Sequence, residues 1–270
     1  CLCRQKCIKQ FCESQKNVFP RRLWHETTAG RQRAANHSLA IASGEFVRFK
    51  LQRADIMAPE LAQKYPSIVA FTGVQLDNPN HTGRFDLTPH GFHGVFDYEG
   101  DKVFIDPILR DNNEQYQSYF QRDAQPISES GIRLTPRVRM QQPGTRSRSA
   151  KASENQRVTY RIAVAATAEY TSFHGGTKEK GLAAVVTMLN RVNQVYQRDL
   201  AISLQLVANN DAIIYTDANS DPFNNTDEDI DVSAQVINQA IGETEYDIGH
   251  VVGTGGGGLA GLGVVCGEYK

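Results

Sequence analysis

Two sets of residues in this chain have the type and spacing to do chemistry: a glycine run and a scatter of histidines. The run is Gly253, Gly255, Gly256, Gly257 and Gly258, interrupted by Thr254. Gly253, Gly255 and Gly258 satisfy G-x-G-x-x-G directly after the apolar stretch 248–252, which is the fingerprint of a dinucleotide phosphate loop. Three features weigh against it. Gly261 and Gly263 would each cost about 1 kcal/mol in the helix that must follow. The acidic ribose partner, expected about 20 residues on, falls past Lys270. The motif normally opens its domain, whereas here strands and helices precede it. A second reading makes 259–265 an exposed edge strand reached through a glycine bend. Backbone groups at Gly258, Leu259, Ala260, Gly261, Leu262 and Gly263 would then hold an extended peptide by strand addition. A third reading is a flexible hairpin with no ligand.

The histidines offer no metal grip. A zinc site on a helix needs two histidines one turn apart with a glutamate between them, H-E-x-x-H. His25-Glu26 is followed by Thr27, Thr28 and Ala29, and no H-E-x-x-H occurs. His90 and His93 are the one close pair, and on a strand their side chains would point to opposite faces. His250 reads as a hydrogen-bonded core or cleft-side residue, and His174, beside Gly175 and Gly176, as solvated. Cys1, Cys3, Cys7 and Cys12 crowd the N-terminus without the paired spacing of a zinc site, and Cys266 stands alone. The chain is therefore expected to contain no catalytic residue and no metal ligand.

The elements that must position the glycine run can be read from periodicity. Hydrophobic residues are 40% of 270, enough for a packed core of one large or two modest domains. A net charge of −1 gives no global field toward nucleic acid or an anionic membrane, and no apolar run is long enough to span a bilayer. Residues 1–34 show no periodicity and form an unassigned leader. Residues 35–123 read as a β-rich domain, with structure beginning near Glu45. Val47, Phe49 and Leu51 alternate with charged residues, and Pro59 opens a short helix that Pro66 ends. Strands are expected over 67–74, 83–88, 90–98, 102–106 and 116–120, with Glu99-Gly100 turning one hairpin. Residues 124–157 are basic and punctuated by Pro126, Pro136 and Pro143, a linker open to proteolysis.

Residues 158–270 switch to alternating strand and helix. Tyr160, Ile162, Val164 and Ala166 give a strand. Thr177 can cap a helix whose stripe is Leu182, Val185, Leu189, Val192 and Tyr196. Strands at 202–206, 248–252 and 259–265 and a helix at 232–241 complete an order that predicts a largely parallel sheet. The fold class is thus α+β / α/β: a small antiparallel unit, then a mostly parallel twisted sheet with two long helices and an edge strand. Asp217, Asp221, Asp227, Glu228, Asp229 and Asp231 make an acidic loop that could attract calcium but lacks the D-x-D-x-D-G spacing. Sequons occur at Asn36, Asn80 and Asn224.

YRIAVAATAEYT, KGLAAVVTMLNRVNQVYQRDLAISLQLV and YDIGHVVGTGGGGLAGLGVVCG, in that order, resemble the reprolysin-like metallopeptidases of the metzincin clan. MAPELAQKYP followed by GRFDLTPHGFHGVF resembles their propeptide. The resemblance implies a secreted zinc-dependent endopeptidase made as a zymogen. It implies a protein or peptide substrate, an activating protease at the linker, and zinc held by a helix beyond the last strand seen here. This chain would then be an inactive fragment holding only the N-terminal half of the catalytic domain. In that family Cys266 would bond to a later cysteine. The cysteine by which some family propeptides silence the metal has no counterpart between Cys12 and Cys266. Calcium is bound in some relatives by an aspartate at the position of Asp247, but the second ligand falls on Ile162, so that site is not expected. The other readings are a nucleotide-dependent oxidoreductase with its site at 253–258 and a non-enzymatic secreted binding module.

Overall fold

A computed structural model describes residues 35–109, 114–124, 157–255, 258–261 and 264–266. Contacts divide the chain into two units. Unit 1 takes residues up to Asp55, Tyr65–Pro126 and Val186–Gln194; unit 2 takes Ile56–Lys64, Ile127–Val185 and Val195–Lys270.

Unit 1 is an antiparallel meander in which every strand pairs with its neighbour in sequence. Its strands are β1 (Ala35–Ala40), β2 (Phe46–Ala54), β3 (Val69–Gln75), β4 (Thr82–Thr88), β5 (Gly91–Tyr98), β6 (Asp101–Pro107) and β7 (Tyr116–Phe120). In β2 buried Val47, Phe49 and Leu51 alternate with exposed Phe46, Arg48 and Lys50, the signature of a strand with one face on a core. The core centres on Phe49, whose ring meets Phe85 at 5.3 Å and Phe96 at 4.9 Å, both edge to face. Phe85 fills space left by three glycines: a Cβ on Gly73, Gly83 or Gly94 would collide with its ring. The β5–β6 hairpin turns through Glu99 (φ 48°) and Gly100 (φ 78°), both left-handed, as a tight two-residue turn requires.

Structure begins earlier than expected. Strand β1 pairs with β2 from Ala35 opposite Leu51 to Ala40 opposite Phe46. Its polar opening Asn36-His37-Ser38 hides the buried Leu39 and Ala40 that anchor it.

Strand β4 is buried on both faces. Phe85 and Leu87 face the aromatic core, and Arg84, Asp86 and Thr88 take the alternate positions. Residues Val186–Gln194, which belong to unit 1, supply partners for the two charged groups: Thr187 and Asn190 both donate to the Asp86 carboxylate, and Arg84 donates to the Asn190 amide oxygen.

Unit 2 holds the short helix α1 (Pro59–Lys64), β8 (Val158–Ala166), α2 (Ala168–Phe173), α3 (Lys178–Leu200), β9 (Ile202–Leu206), α4 (Asp229–Ala240) and β10 (Ile248–Val252), α3 being shared with unit 1. The sheet order is β10-β8-β9 and both pairings are parallel. Parallel neighbours need long crossovers, here α2–α3 and α4. Thr177 caps α3 by accepting from the Lys180 amide, and Ala201 ends it in the left-handed conformation at φ 55°. Helix α2, capped by Thr167, lies between the strand ending at Ala166 and Gly175, a stretch to which the sequence reading gave no element.

Two expectations are corrected here. The α3 stripe holds at Leu182, Val185 and Leu189, but Tyr196 is exposed while Asn190, Asn193 and Gln194 are buried. The helix is covered on a polar face over these turns, where hydrogen bonds replace apolar contact. The edge strand expected at 259–265 does not appear among its described residues: Gly258, Leu259, Ala260 and Gly261 carry no strand, nor do residues 264–266. Glycine weakens a strand through its backbone entropy. A Cβ on Gly261 would collide with Val264, and Cys266 sits in a turn at φ 57°.

Candidate functional site

The exit of β10 is the best-organised feature near the glycine run. Asn225 sits in the left-handed region at φ 57°, a conformation asparagine tolerates better than most residues. From there its side chain crosses to the run. Oδ1 accepts from the Thr254 amide at 2.7 Å and the Gly255 amide at 3.1 Å, while Nδ2 donates to Thr254 Oγ1 at 2.9 Å. The approach is so close that a Cβ on Gly253 would collide with Asn225 Oδ1, and one on Gly255 with the Asn225 carbonyl oxygen. These two glycines are therefore explained by packing against Asn225.

The loop bearing Asn225 is held in turn by carboxylates. Asp229 is buried and accepts from the amides of Asn224 at 2.8 Å and Thr226 at 3.1 Å. Asp221 accepts from the amides of Ala168 at 2.5 Å and Phe223 at 3.0 Å. Burial raises the Asp221 pKa, and the two amide bonds oppose that rise. Two of the six acidic residues read as a calcium-attracting or solvated loop thus serve as internal acceptors for backbone N–H groups. Asp247 is engaged as well. Arg161 donates to Oδ1 at 2.8 Å and to Oδ2 at 3.3 Å, its amide donates to Oδ2 at 2.8 Å, and its third guanidinium nitrogen donates to the Thr244 carbonyl at 2.9 Å. A calcium ion at Asp247 would have to displace a two-pronged guanidinium.

Of the six residues expected to contact substrate, Gly258, Ala260 and Gly261 are exposed and Leu259 is half-buried. Leu262 and Gly263 lie outside the described residues. The structure brings none of the four into a regular element. Among the described residues β10 has β8 on one side and no strand on the other. No helix follows the G-x-G-x-x-G pattern among the described residues, and the Thr254 and Gly255 amides already have acceptors. Among the described residues the phosphate-loop geometry is therefore not formed.

The histidines divide by environment. His93 contacts Asp86 at 3.2 Å inside unit 1, and His90 is buried in the turn before β5. His174 stacks on Tyr170 with centroids 4.5 Å apart. His250 reaches the surface from β10, yet desolvation by the atoms around it lowers its pKa. Among the described residues no group of three or more histidine, cysteine, aspartate or glutamate side chains could hold a metal ion. The donor set for zinc is not present in them. Cys266 is exposed and free, its amide bonded to the Asp247 carbonyl. No helix among the described residues is long and apolar enough to cross a membrane.

Sequence reasoning missed Asn225, and it took Asp221 and Asp229 only as members of an acidic loop, not as acceptors for backbone N–H groups. The available signal was the turn-former density of 217–231 leading into a helix with two aspartates in its first turn.

Residues 156–268 match the family model described as metallo-peptidase family M12B, reprolysin-like. No curated protein matches the chain.

Proposed function

We propose that this chain carries the N-terminal part of a secreted, zinc-dependent endopeptidase, made as a zymogen. The observation that carries the proposal is the match of residues 156–268 to a metallopeptidase family. The two parallel crossovers of unit 2 accord with it, because they end on β10 and deliver the glycine run to a sheet edge that has no partner strand among the described residues. In this reading residues 35–123 are the propeptide, 124–157 the linker an activating protease cuts, and 158–270 the front of the catalytic domain.

The described residues do not suit zinc, so no step of hydrolysis is assigned to them. What this chain contributes is substrate placement. Gly258, Leu259, Ala260, Gly261, Leu262 and Gly263 offer backbone donors and acceptors to an extended peptide. In the structure 258–261 are loop, so they would have to straighten when peptide binds, as segments do that order on binding.

The test compares this chain with the same chain extended by its natural continuation, each given zinc and a quenched fluorescent peptide. The extended protein should cleave the peptide and lose activity to a chelator, while the 270-residue chain should not cleave. Cleavage by the shorter chain would overturn the fragment reading. A continuation without H-E-x-x-H would overturn the endopeptidase reading and leave a peptide-binding module.

A further inference from the structure

The backbone ladder that fixes β10 ends at Val252, whose carbonyl accepts from the Thr167 amide at 3.0 Å. The amides of Thr254 and Gly255 then go to one oxygen, Asn225 Oδ1. Three positions further on, 258–261 form no regular element. We infer that Asn225 is a positioning residue for peptide substrate: it fixes where the rim begins, without touching the peptide. This inference deepens the peptidase reading and rests on it.

Asn225 is suited to that task because it is itself held. It stands between two buried residues. Phe223 packs in the core with Ala163, Ala165 and Tyr246, and Asp229 accepts from the amides of Asn224 and Thr226. The loop is tied to the start of α2 as well, where Asp221 accepts from the Ala168 amide. Nδ2 of Asn225 donates to Thr254 Oγ1 at 2.9 Å, which sets the amide plane with Oδ1 on the run. A side chain locked by packing and by its own hydrogen bonds positions a site more tightly than a free loop does. The contact also leaves no slack, since a methyl at Gly255 would collide with the Asn225 carbonyl oxygen.

A peptide adds to the rim as a strand only when 258–261 straighten, and each residue ordered at that moment weakens binding. With Thr254 and Gly255 already fixed, ordering starts after Gly255. Without the Asn225 side chain it starts at Gly253, and only a fraction of the protein presents the rim's first residues in place. Apparent affinity falls by that fraction. In the peptidase reading the scissile bond is attacked by groups outside this chain, so the loss falls on KM and leaves kcat. A residue that only stabilised the fold would act the other way, lowering the amount of active protein and so the apparent kcat, at the parental KM.

The test uses the chain extended by its natural continuation, with a quenched fluorescent peptide. Asn225→Gly should raise KM about tenfold at the parental kcat, the mark of a competent fraction near one tenth. Asn225→Asp keeps an acceptor for both amides and tolerates the left-handed backbone, so its KM should stay within about threefold of the parent. The two variants separate side chain from backbone, because glycine is fully at ease at φ 57°. Asn225→Gly with the parental KM, whatever its kcat, would overturn the inference and leave the peptidase reading standing. An extended parent that cleaves nothing removes that reading and this inference together. If Asn225→Gly does not fold, hydrogen exchange on the extended parent decides. The Thr254 and Gly255 amides should be protected at least about tenfold before any peptide is added, and those of Leu259, Ala260 and Gly261 only once an uncleavable peptide analogue is bound. Thr254 and Gly255 amides that gain protection only with the analogue would overturn the inference.

Discussion

Removing the Asn225 side chain tests whether one residue sets the path of the glycine run. Asn225→Gly deletes three hydrogen bonds, at 2.7, 2.9 and 3.1 Å, while keeping a backbone at ease at φ 57°. Each such bond contributes about 0.5–1.5 kcal/mol net. Water can replace part of them on this exposed loop, so the local loss should be about 2 kcal/mol. Hydrogen exchange reads local opening directly. Because about 1.4 kcal/mol is a factor of ten, the Thr254 and Gly255 amides should exchange roughly 30-fold faster. Asn225→Ala loses the same bonds and adds about 1–2 kcal/mol of left-handed strain, so it should be worse than the glycine variant. Gly255→Ala drives a methyl into the Asn225 carbonyl and should be worse than Gly253→Ala, which meets a side-chain oxygen that can rotate away. Exchange in Asn225→Gly within about threefold of wild type would refute the argument, as would a Gly255→Ala protein as stable as the parent.

Four further outcomes are expected. Asp86→Ala leaves the Thr187 and Asn190 donors without their buried acceptor and should cost about 2–4 kcal/mol in urea unfolding; an unchanged midpoint would contradict it. His250 has a folded-state pKa below its ordinary 6.5, so the unfolded chain binds more protons just below that pH and stability falls as the solution is acidified. His250→Gln should flatten that fall, and identical pH profiles would exclude the effect. Millimolar calcium should leave the melting temperature unchanged, since Arg161 already holds the Asp247 carboxylate; a rise of several degrees would show a calcium site. Arg161→Ala should cost about 1 kcal/mol, seen as roughly 2–4 °C in melting temperature, and no shift would refute the staple.

The sequence made the skeleton of unit 2 readable because its signals are periodic. Residues 202–206 and 248–252 form strands with the bounds read from their alternation, and Thr177 caps the helix it was expected to cap. What stayed hidden depends on partners distant in the chain. Asn190 and Gln194 look like a solvated helix face until Asp86 and Asp97 cover them. Leu259 and Val265 alternate with small residues as a strand would, but among the described residues no strand pairs with them, and pattern alone does not form one. At the candidate site, the glycines were legible and their cause was not. Gly253 and Gly255 answer to Asn225, about thirty positions earlier, and local spacing carries no trace of that approach.

Phe85 and the glycines around it share one fate in evolution. Its ring occupies the volume a methyl would need at Gly73, Gly83 or Gly94, so none of the four can drift by itself. A smaller residue at 85 is the permissive step that would let alanine enter at Gly94, whereas Gly73 and Gly83 are also closed by Leu51 and Phe96. Combining Phe85→Leu with Gly94→Ala, where Phe85 alone stands within 3.4 Å of the added methyl, should therefore lose less stability than the two changes add up to, and strict additivity would show that the two positions vary independently.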